Sequence, residues 1–453
     1  MDEREAALDA AHRAANTFLS GLPGRPVWPR ATAAEMTAAL GGPLPPGPTP
    51  AAEVIELLAT AADPGICGVA GPRFFGFVIG GGLPAALGAD WLTSAWDQNA
   101  GLTALSPAAA AAEEVAAGWL LDLLGLPPTA AVGFVTGAMM ANFVCLAAAR
   151  HAVLAARDWN VADLGMAKAP PIRLVVGQDR HATIDRAARF LGLGRQDVLA
   201  VPADEAGRML PDALEQALGV LDGPVIVCLQ AGEVHTGAFD DFPSLIPLAH
   251  ARNAWVHVDG AFGLWAAASP GTRSLLTGVD AADSWTTDAH KTLNVPYDSG
   301  LAIVRRPEWA RAAFSDAADY LIRGSDDPFE RTPEFSRRAR GFAVWAALRS
   351  LGTQGVADLV QRLRDNAAGF AERLRRIPGV TVVNDVVYTQ VLFRLESDEA
   401  TVALGPAVLA EGTCVVTPGT WGGRPVQRCS MSSWATREQD LDAAAAAIER
   451  LVA

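Results

Sequence analysis

The chain has 453 residues, half of them hydrophobic and only 19% charged, which suits one large α/β domain with a sizeable core and a smaller companion. Its formal net charge of −14 argues against nucleic acid or an anionic membrane as a partner. The five cysteines (Cys67, Cys145, Cys228, Cys414, Cys429) form no C-x-x-C pair and have no histidine at metal spacing. They argue for a reducing, cytoplasmic setting and against a metal centre.

The first residues, Met1 to Glu5, are acidic and lack an apolar signal core. Residues 1–50 read as an amphipathic lead segment ending in the proline-rich loop Gly41 to Pro48, an arm that must pack on the main body or on a second subunit. The division expected is 1–100 for the arm and lead segment, 101–335 for a large domain, and 336–453 for a long helical section with a small C-terminal domain. Ser106-Pro107 supplies an N-cap and a first-turn proline for an alanine-rich helix through Leu124. Leu123 to Ala149 carries no charge and has the hydropathy of a membrane span, but Pro127, Pro128, Gly133, Gly137 and Asn142 interrupt it. It reads as a buried strand, turn and helix.

Strands and helices then alternate. Strands are expected at Ile172–Val176, Val198–Val201, Val225–Leu229 and Trp255–Val258, and helices at Ala182–Leu191, Pro211–Leu218 and Leu245–Ala251. Such alternation predicts a largely parallel sheet covered on both faces, which binds its ligands at the carboxyl ends of the strands. After the strand Gly300–Val304 come a helical section from Phe335 to Arg376, strands at Gln390–Arg394 and Cys414–Thr417, and a last helix from Arg437.

Two segments carry chemistry. The apolar strand Trp255-Val256-His257-Val258 ends in Asp259, and His290-Lys291 follows about thirty residues later, in a loop. Pyridoxal phosphate needs this pair: a lysine amine for a Schiff base with its aldehyde, and a carboxylate that keeps the pyridine nitrogen protonated. Taken singly, Asp259 reads as a turn residue and Lys291 as a surface lysine. The stretch Phe134 to Asn142 has the form of a strand, a glycine turn at Gly137 and a helix N-terminus, a source of N–H donors for a phosphate, although many ordinary turns look the same. His181 follows a strand, where its ring can stack on a pyridine or simply cap a helix. His290 can reach a phosphate, orient the lysine, or sit in solvent.

With these residues in view, the chain resembles the group II pyridoxal-phosphate-dependent amino acid decarboxylases, of the branch often grouped with aspartate aminotransferases. The likeness runs from Pro72-Arg73-Phe74-Phe75-Gly76-Phe77 to Trp421 through Thr136-Gly137-Ala138, His181, Thr236 to Asp240, His257 to Ala261, and His290-Lys291. It implies the fold-type I architecture: an α/β large domain with a mainly parallel sheet between helices, a small C-terminal α/β domain and an N-terminal arm. It also implies a homodimer with active sites at the interface and an amino acid, or a small molecule derived from one, as substrate. By the same resemblance Lys291 forms the Schiff base, Asp259 pairs with the pyridine nitrogen, and His181 and Ala261 flank the ring. Gly137, Ala138, Met139 and His290 meet the phosphate, Ser336 reaches in from the neighbouring subunit, and Tyr320 is the mobile-loop proton donor.

Several positions depart from the family pattern. Met139 stands where a hydroxyl residue is usual, and Thr292 and Thr103 stand where aromatic residues are common. Glu233 and His235 replace short polar residues beside the expected pocket, and either bind a polar substrate or move a proton, or form an exposed loop pair. Decarboxylation to the amine is the expected reaction. Carbon–carbon lyase (aldolase), aminotransfer and oxidative, aldehyde-forming decarboxylation use the same Lys291 and Asp259, and a non-catalytic interaction protein is the remote alternative.

Overall fold

Strand residues 225–230 show why this sequence folds in layers. Val225, Val227 and Leu229 face one hydrophobic cluster, while Ile226 and Cys228 face a second on the opposite side. Both sides of the strand are apolar, so it must lie in the middle of a sheet covered by helices on each face. The computed structural model describes residues 2–315 and 327–453.

The lead segment holds α1 (Glu3–Gly21), α2 (Ala33–Leu40) and α3 (Ala51–Ala62), followed by α4 (Pro84–Trp96) and α5 (Pro107–Leu123). Next come β1 (Ala131–Val135), α6 (Ala138–Ala155), α7 (Val161–Leu164), β2 (Arg173–Gly177), α8 (Ala182–Phe190), β3 (Val198–Val201), α9 (Pro211–Gly219), β4 (Val225–Gln230), α10 (Phe242–His250), β5 (Trp255–Asp259), β6 (Ser284–Asp288), β7 (Gly300–Val304) and α11 (Pro307–Phe314). Among the described residues the large sheet has seven strands in the order β1-β7-β6-β5-β4-β2-β3. Only β7 runs against the others. Helices α6, α8 and α11 pack on one face, and α5, α9, α10 and the first half of the next helix, α12 (Gly341–Arg375), lie on the other.

Helix α6 is long and apolar enough to cross a membrane, but 72% of it is buried against the sheet, so it is a core helix here. The close approach of β7 to the turn before α6 explains one glycine. A Cβ at Gly300 would lie 2.4 Å from Gly137 Cα, so no larger residue fits.

The small sheet is antiparallel, β10-β11-β9-β8, built from β8 (Val380–Val382), β9 (Gln390–Leu395), β10 (Thr417–Trp421) and β11 (Arg424–Ser430). Helices α13 (Asp398–Glu411) and α14 (Glu438–Val452) pack on it, together with the second half of α12.

Three expectations change in detail. The helical section starts at Gly341 rather than Phe335 and is interrupted at Gly352, where φ is +61°. The strand expected at Cys414–Thr417 begins only at Thr417. Cys414, Val415 and Val416 are buried by side-chain contact in two separate clusters, and Val415 makes a lone bridge to Phe74. Strand β6 had no counterpart in the sequence reading, because Ser-Trp-Thr-Thr-Asp lacks an apolar run, yet all five residues are buried.

Candidate active site

Every chemistry-bearing residue that lines the central cavity follows the carboxyl end of a parallel strand. Gly137 and Ala138 follow β1, His181 follows β2, Gln230 ends β4 with Gly232 just beyond, Asp259 ends β5, Asp288 ends β6, and His290 and Lys291 follow it. This follows from the topology, since the parallel strands all point their carboxyl ends toward one edge. Together with Met139, Thr183, Val234, Ala261 and Phe262 they line a cavity of about 280 Å³.

Asp259 is fixed from below. Its Oδ2 accepts from Asn142 Nδ2 at 3.0 Å, and its Oδ1 accepts from the Ala261 N–H at 3.2 Å. Because a carboxylate only accepts, Asn142 must turn its NH₂ toward Asp259, which leaves its Oδ1 to accept from His257 Nε2 at 2.9 Å. His257 Nδ1 then accepts from Ser284 Oγ at 2.9 Å, and that oxygen accepts from Trp255 Nε1 at 2.9 Å. His257 is fully buried, and burial lowers its pKa to about 4, so the ring is neutral and has a defined tautomer.

The second N–H of Asn142 reaches Thr183 Oγ1 at 3.2 Å, and the Thr183 hydroxyl pairs with His181 Nδ1 at 2.8 Å. His181 thus caps α8 and also lines the cavity, with Nε2 left to face it. The protein packed around the ring lowers its pKa, although its outer edge remains exposed, and the neutral form prevails near pH 7.

Lys291 Nζ lies 3.1 Å from Asp288 Oδ2. The backbone N–H of Ala138, at the start of α6, donates to Asp288 Oδ1 at 2.6 Å. His290 accepts at Nδ1 from the Ser299 N–H (3.1 Å), so its proton sits on Nε2, 3.6 Å from Asp288 Oδ1. Burial lowers the pKa of His290, and its ring stacks on Tyr297 at 4.2 Å.

The loop that carries Lys291 is held by Asn294, whose backbone is left-handed (φ +57°). Its Oδ1 accepts from the N–H groups of Gly81 (2.8 Å) and Trp434 (2.9 Å), and its Nδ2 donates to the carbonyls of Thr292 (2.8 Å) and Ser432 (3.0 Å). One buried amide therefore ties the lysine loop to the Gly80-Gly81-Gly82 segment and to the small domain.

The sequence reading placed Gly137, Ala138, Met139, His181, Asp259, Ala261, His290 and Lys291 in one site, and all of them line this cavity. Ser336 does not: it is exposed, and its Oγ accepts from Asn99 Nδ2 of the same chain at 3.3 Å. Tyr320 lies outside the described residues. Glu233 and His235 pair with each other outside the cavity lining, but not as the exposed loop pair expected, since the Glu233 carboxylate is buried. Glu233 is buried and accepts from the N–H groups of His235 and Thr236 (2.6 and 2.7 Å) and from His235 Nδ1 (3.0 Å). His235 packs against Trp421, and Val234, together with Gly232, lines the cavity instead.

Sequence reasoning passed over Asn142, Asp288, Asn294 and Arg428. Arg428, buried on β11, donates to the Val234 carbonyl at 3.0 Å and places its positive charge near His181. Asn142 sat inside a segment already singled out and Asp288 two residues before His290, but nothing in their spacing marks them as partners of Asp259 and Lys291.

The donor set fits pyridoxal phosphate. It offers a lysine amine, a braced carboxylate for the pyridine nitrogen, rings and small residues for the two faces, and a helix N-terminus with a histidine for the phosphate. The model of the pyridoxal-dependent decarboxylase conserved domain matches residues 36–396. The chain belongs to that family, and pyridoxal phosphate is its cofactor.

Human acidic amino acid decarboxylase GADL1 is 26% identical over 333 residues, which cover 71% of this chain and 63% of that protein. The aromatic-L-amino-acid decarboxylase of Bacillus atrophaeus is 28% identical over 325 residues, 68% of this chain and 63% of that protein. The chain thus spans somewhat under two thirds of the length of these relatives. In fold it is similar to the crystal structure of Oryza sativa TDC with PLP and tryptamine. The TM-score is 0.92 at 23% identity, covering 100% of this chain and 98% of that one.

Proposed function

We propose that this protein decarboxylates an amino acid to its amine, with Lys291 as the residue that bonds the cofactor aldehyde. The observation that carries this reading is the convergence of Lys291, the braced Asp259 and the neutral His181 on one cavity at the carboxyl edge of the sheet. Bound there, pyridoxal phosphate supplies a protonated ring that accepts the electrons of the broken carbon–carboxylate bond. Asp259 holds the pyridine proton, and Asn142 keeps the carboxylate turned toward it. His181, with Nδ1 engaged by Thr183, covers one face of the ring and keeps an N–H toward the substrate. Ala261 covers the other face, Gly137, Ala138, Met139 and His290 serve the phosphate end, and Arg428 adds positive charge near His181.

We also propose a homodimer with the site at its interface, Ser336 of each chain reaching toward its neighbour's cavity, and Tyr320 as the proton donor to the carbon that loses carbon dioxide. A wide aromatic surface on α4, α5 and α12 supports the dimer. The cysteines, all free and four of them buried, support a reducing compartment, and we infer the cytoplasm. Cell fractionation that finds the protein outside the cytoplasm overturns that last inference.

The deciding experiment is a screen of amino acids with the purified, cofactor-loaded protein, reading carbon dioxide, amine and aldehyde together. Carbon dioxide with amine is expected from at least one amino acid, and none after Lys291→Ala. Borohydride reduction and peptide mapping should place the cofactor label on Lys291. Absence of carbon dioxide with every amino acid, in protein that carries the label, overturns decarboxylation while leaving the cofactor site intact.

A further inference from the structure

Asp288 makes its contacts with groups that the cofactor also requires. Its Oδ1 accepts the Ala138 N–H at the start of α6, and its Oδ2 pairs with Lys291 Nζ at 3.1 Å. It is 2% exposed and lines the cavity. Helix α6 has no acidic residue in its first turn, and its N-cap, Gly137, has no side chain to bond there. The carboxylate arriving from β6 is therefore the anion that answers the positive end of this 18-residue helix. A phosphate dianion seeks the same N–H, and two anions on one donor repel.

Among the described residues, the other charged or titratable groups facing Asp288 are His290, on the loop after β6, Tyr297 beyond it, and His181 after β2. Lys291 is the one fixed cation among them, and the Schiff base removes its ammonium from the pair. The position next to Ala138 offers no compensating hydroxyl, since Met139 fills it.

Resting on the assignment of the cofactor to this cavity, we propose that Asp288 is an internal competitor of the cofactor phosphate. Its carboxylate stands on the phosphate's N–H donor and pairs with the lysine amine, so that cofactor uptake must displace it. This makes Asp288 a residue that tunes cofactor retention, and the protein is expected to exchange its cofactor more readily than a chain with a neutral residue at this position.

The test compares the full-length protein with Asp288→Asn, which keeps the shape and an acceptor for the Ala138 N–H but removes the charge. Both proteins are freed of cofactor by dialysis and then titrated with pyridoxal phosphate and, separately, with pyridoxal, which has the aldehyde but no phosphate. Binding is read by equilibrium dialysis and by the absorbance of the bound cofactor. Asp288→Asn is expected to tighten pyridoxal phosphate binding by at least roughly tenfold, because a like charge beside the phosphate is removed.

The gain for pyridoxal phosphate should exceed the gain for pyridoxal by about fivefold or more, since only the former carries the competing anion. A smaller ratio means that the effect runs through the lysine alone and overturns the competition. Unchanged or weaker binding of pyridoxal phosphate overturns it as well. If Asp288→Asn does not fold, Asp288→Ser carries the same comparison. Failure of the wild-type protein to take a borohydride-fixed label on Lys291 would instead remove the cofactor assignment itself.

Discussion

Asn142 shows how one side chain can set the state of several others. Both of its N–H donors are used, on Asp259 and Thr183, so its oxygen faces His257 and decides that ring's tautomer. The cost of this arrangement is a buried histidine that must stay neutral. Its pKa of about 4 lies below the ordinary value of 6.5, so between those two pH values the unfolded chain binds a proton that the folded chain refuses. Stability from this group is therefore complete above about pH 6.5 and is lost as pH falls toward 4, by about 3 kcal/mol in total. Urea unfolding of wild type and His257→Asn between pH 7 and 4 checks it. The wild type should lose the larger share of its stability on acidification, and parallel curves would show that His257 is not the group responsible. The residue Asp240 acts in the opposite sense, since burial raises its carboxyl to about 6, and for that reason the comparison must be a difference between the two proteins.

At the scale of elements, legibility tracked hydrophobic pattern. Strands β3 and β7 were readable to the residue because apolar runs end sharply at turn residues. The largely parallel sheet and the carboxyl-edge site followed from the alternation of strand and helix, whereas the order of the strands did not. Strand β6 was not readable: its threonines and serine are satisfied by partners far away in sequence, such as Trp255 Nε1 on Ser284. The same reason hid Asp288, whose partners are a helix N-terminus 150 residues upstream and a lysine on its own loop. Glu233 and His235 could not be assigned from sequence, because an ionisable residue in a loop looks alike whether it faces a cavity or its own backbone.

A buried ion pair between elements gives another element-scale prediction. Arg337, just before α12, donates through both terminal nitrogens to the carboxylate of Glu113 on α5, at 2.5 and 2.7 Å, with both residues buried. Glu113→Ala strands a guanidinium in the core and should destabilise the protein by about 3–5 kcal/mol in urea unfolding at fixed protein concentration. A loss under about 1 kcal/mol would mean that water reaches Arg337 and the pair is a surface contact in effect.

The molecule as a whole presents more aromatic surface than a lone chain has reason to. Trp91, Leu92 and Trp96 on α4, Val115 and Trp119 on α5, and Trp345 on α12 are each between 37% and 49% exposed. They form one surface rather than scattered residues, because Trp96 packs edge-on against Phe342 and Trp119 stacks on Trp345, one helical turn further along α12. The arm adds to it. Helices α1 and α3 pack on each other, yet Leu8, Leu19, Val54, Leu57 and Leu58 remain exposed. A contiguous apolar patch of this kind marks a protein interface, and the homodimer proposed above would cover it with a second copy of the chain by two-fold symmetry. The wild type is therefore expected to run in light scattering at twice the 47.3 kDa of the chain. Trp96→Glu together with Trp345→Glu should shift it to a monomer without loss of secondary structure, since both side chains sit at the surface. Removal of residues 1–50 should weaken the dimer in proportion to the arm's share of the contact. A wild-type monomer with full decarboxylase activity would leave the aromatic surface without its partner and would confine the active site to the residues of a single chain.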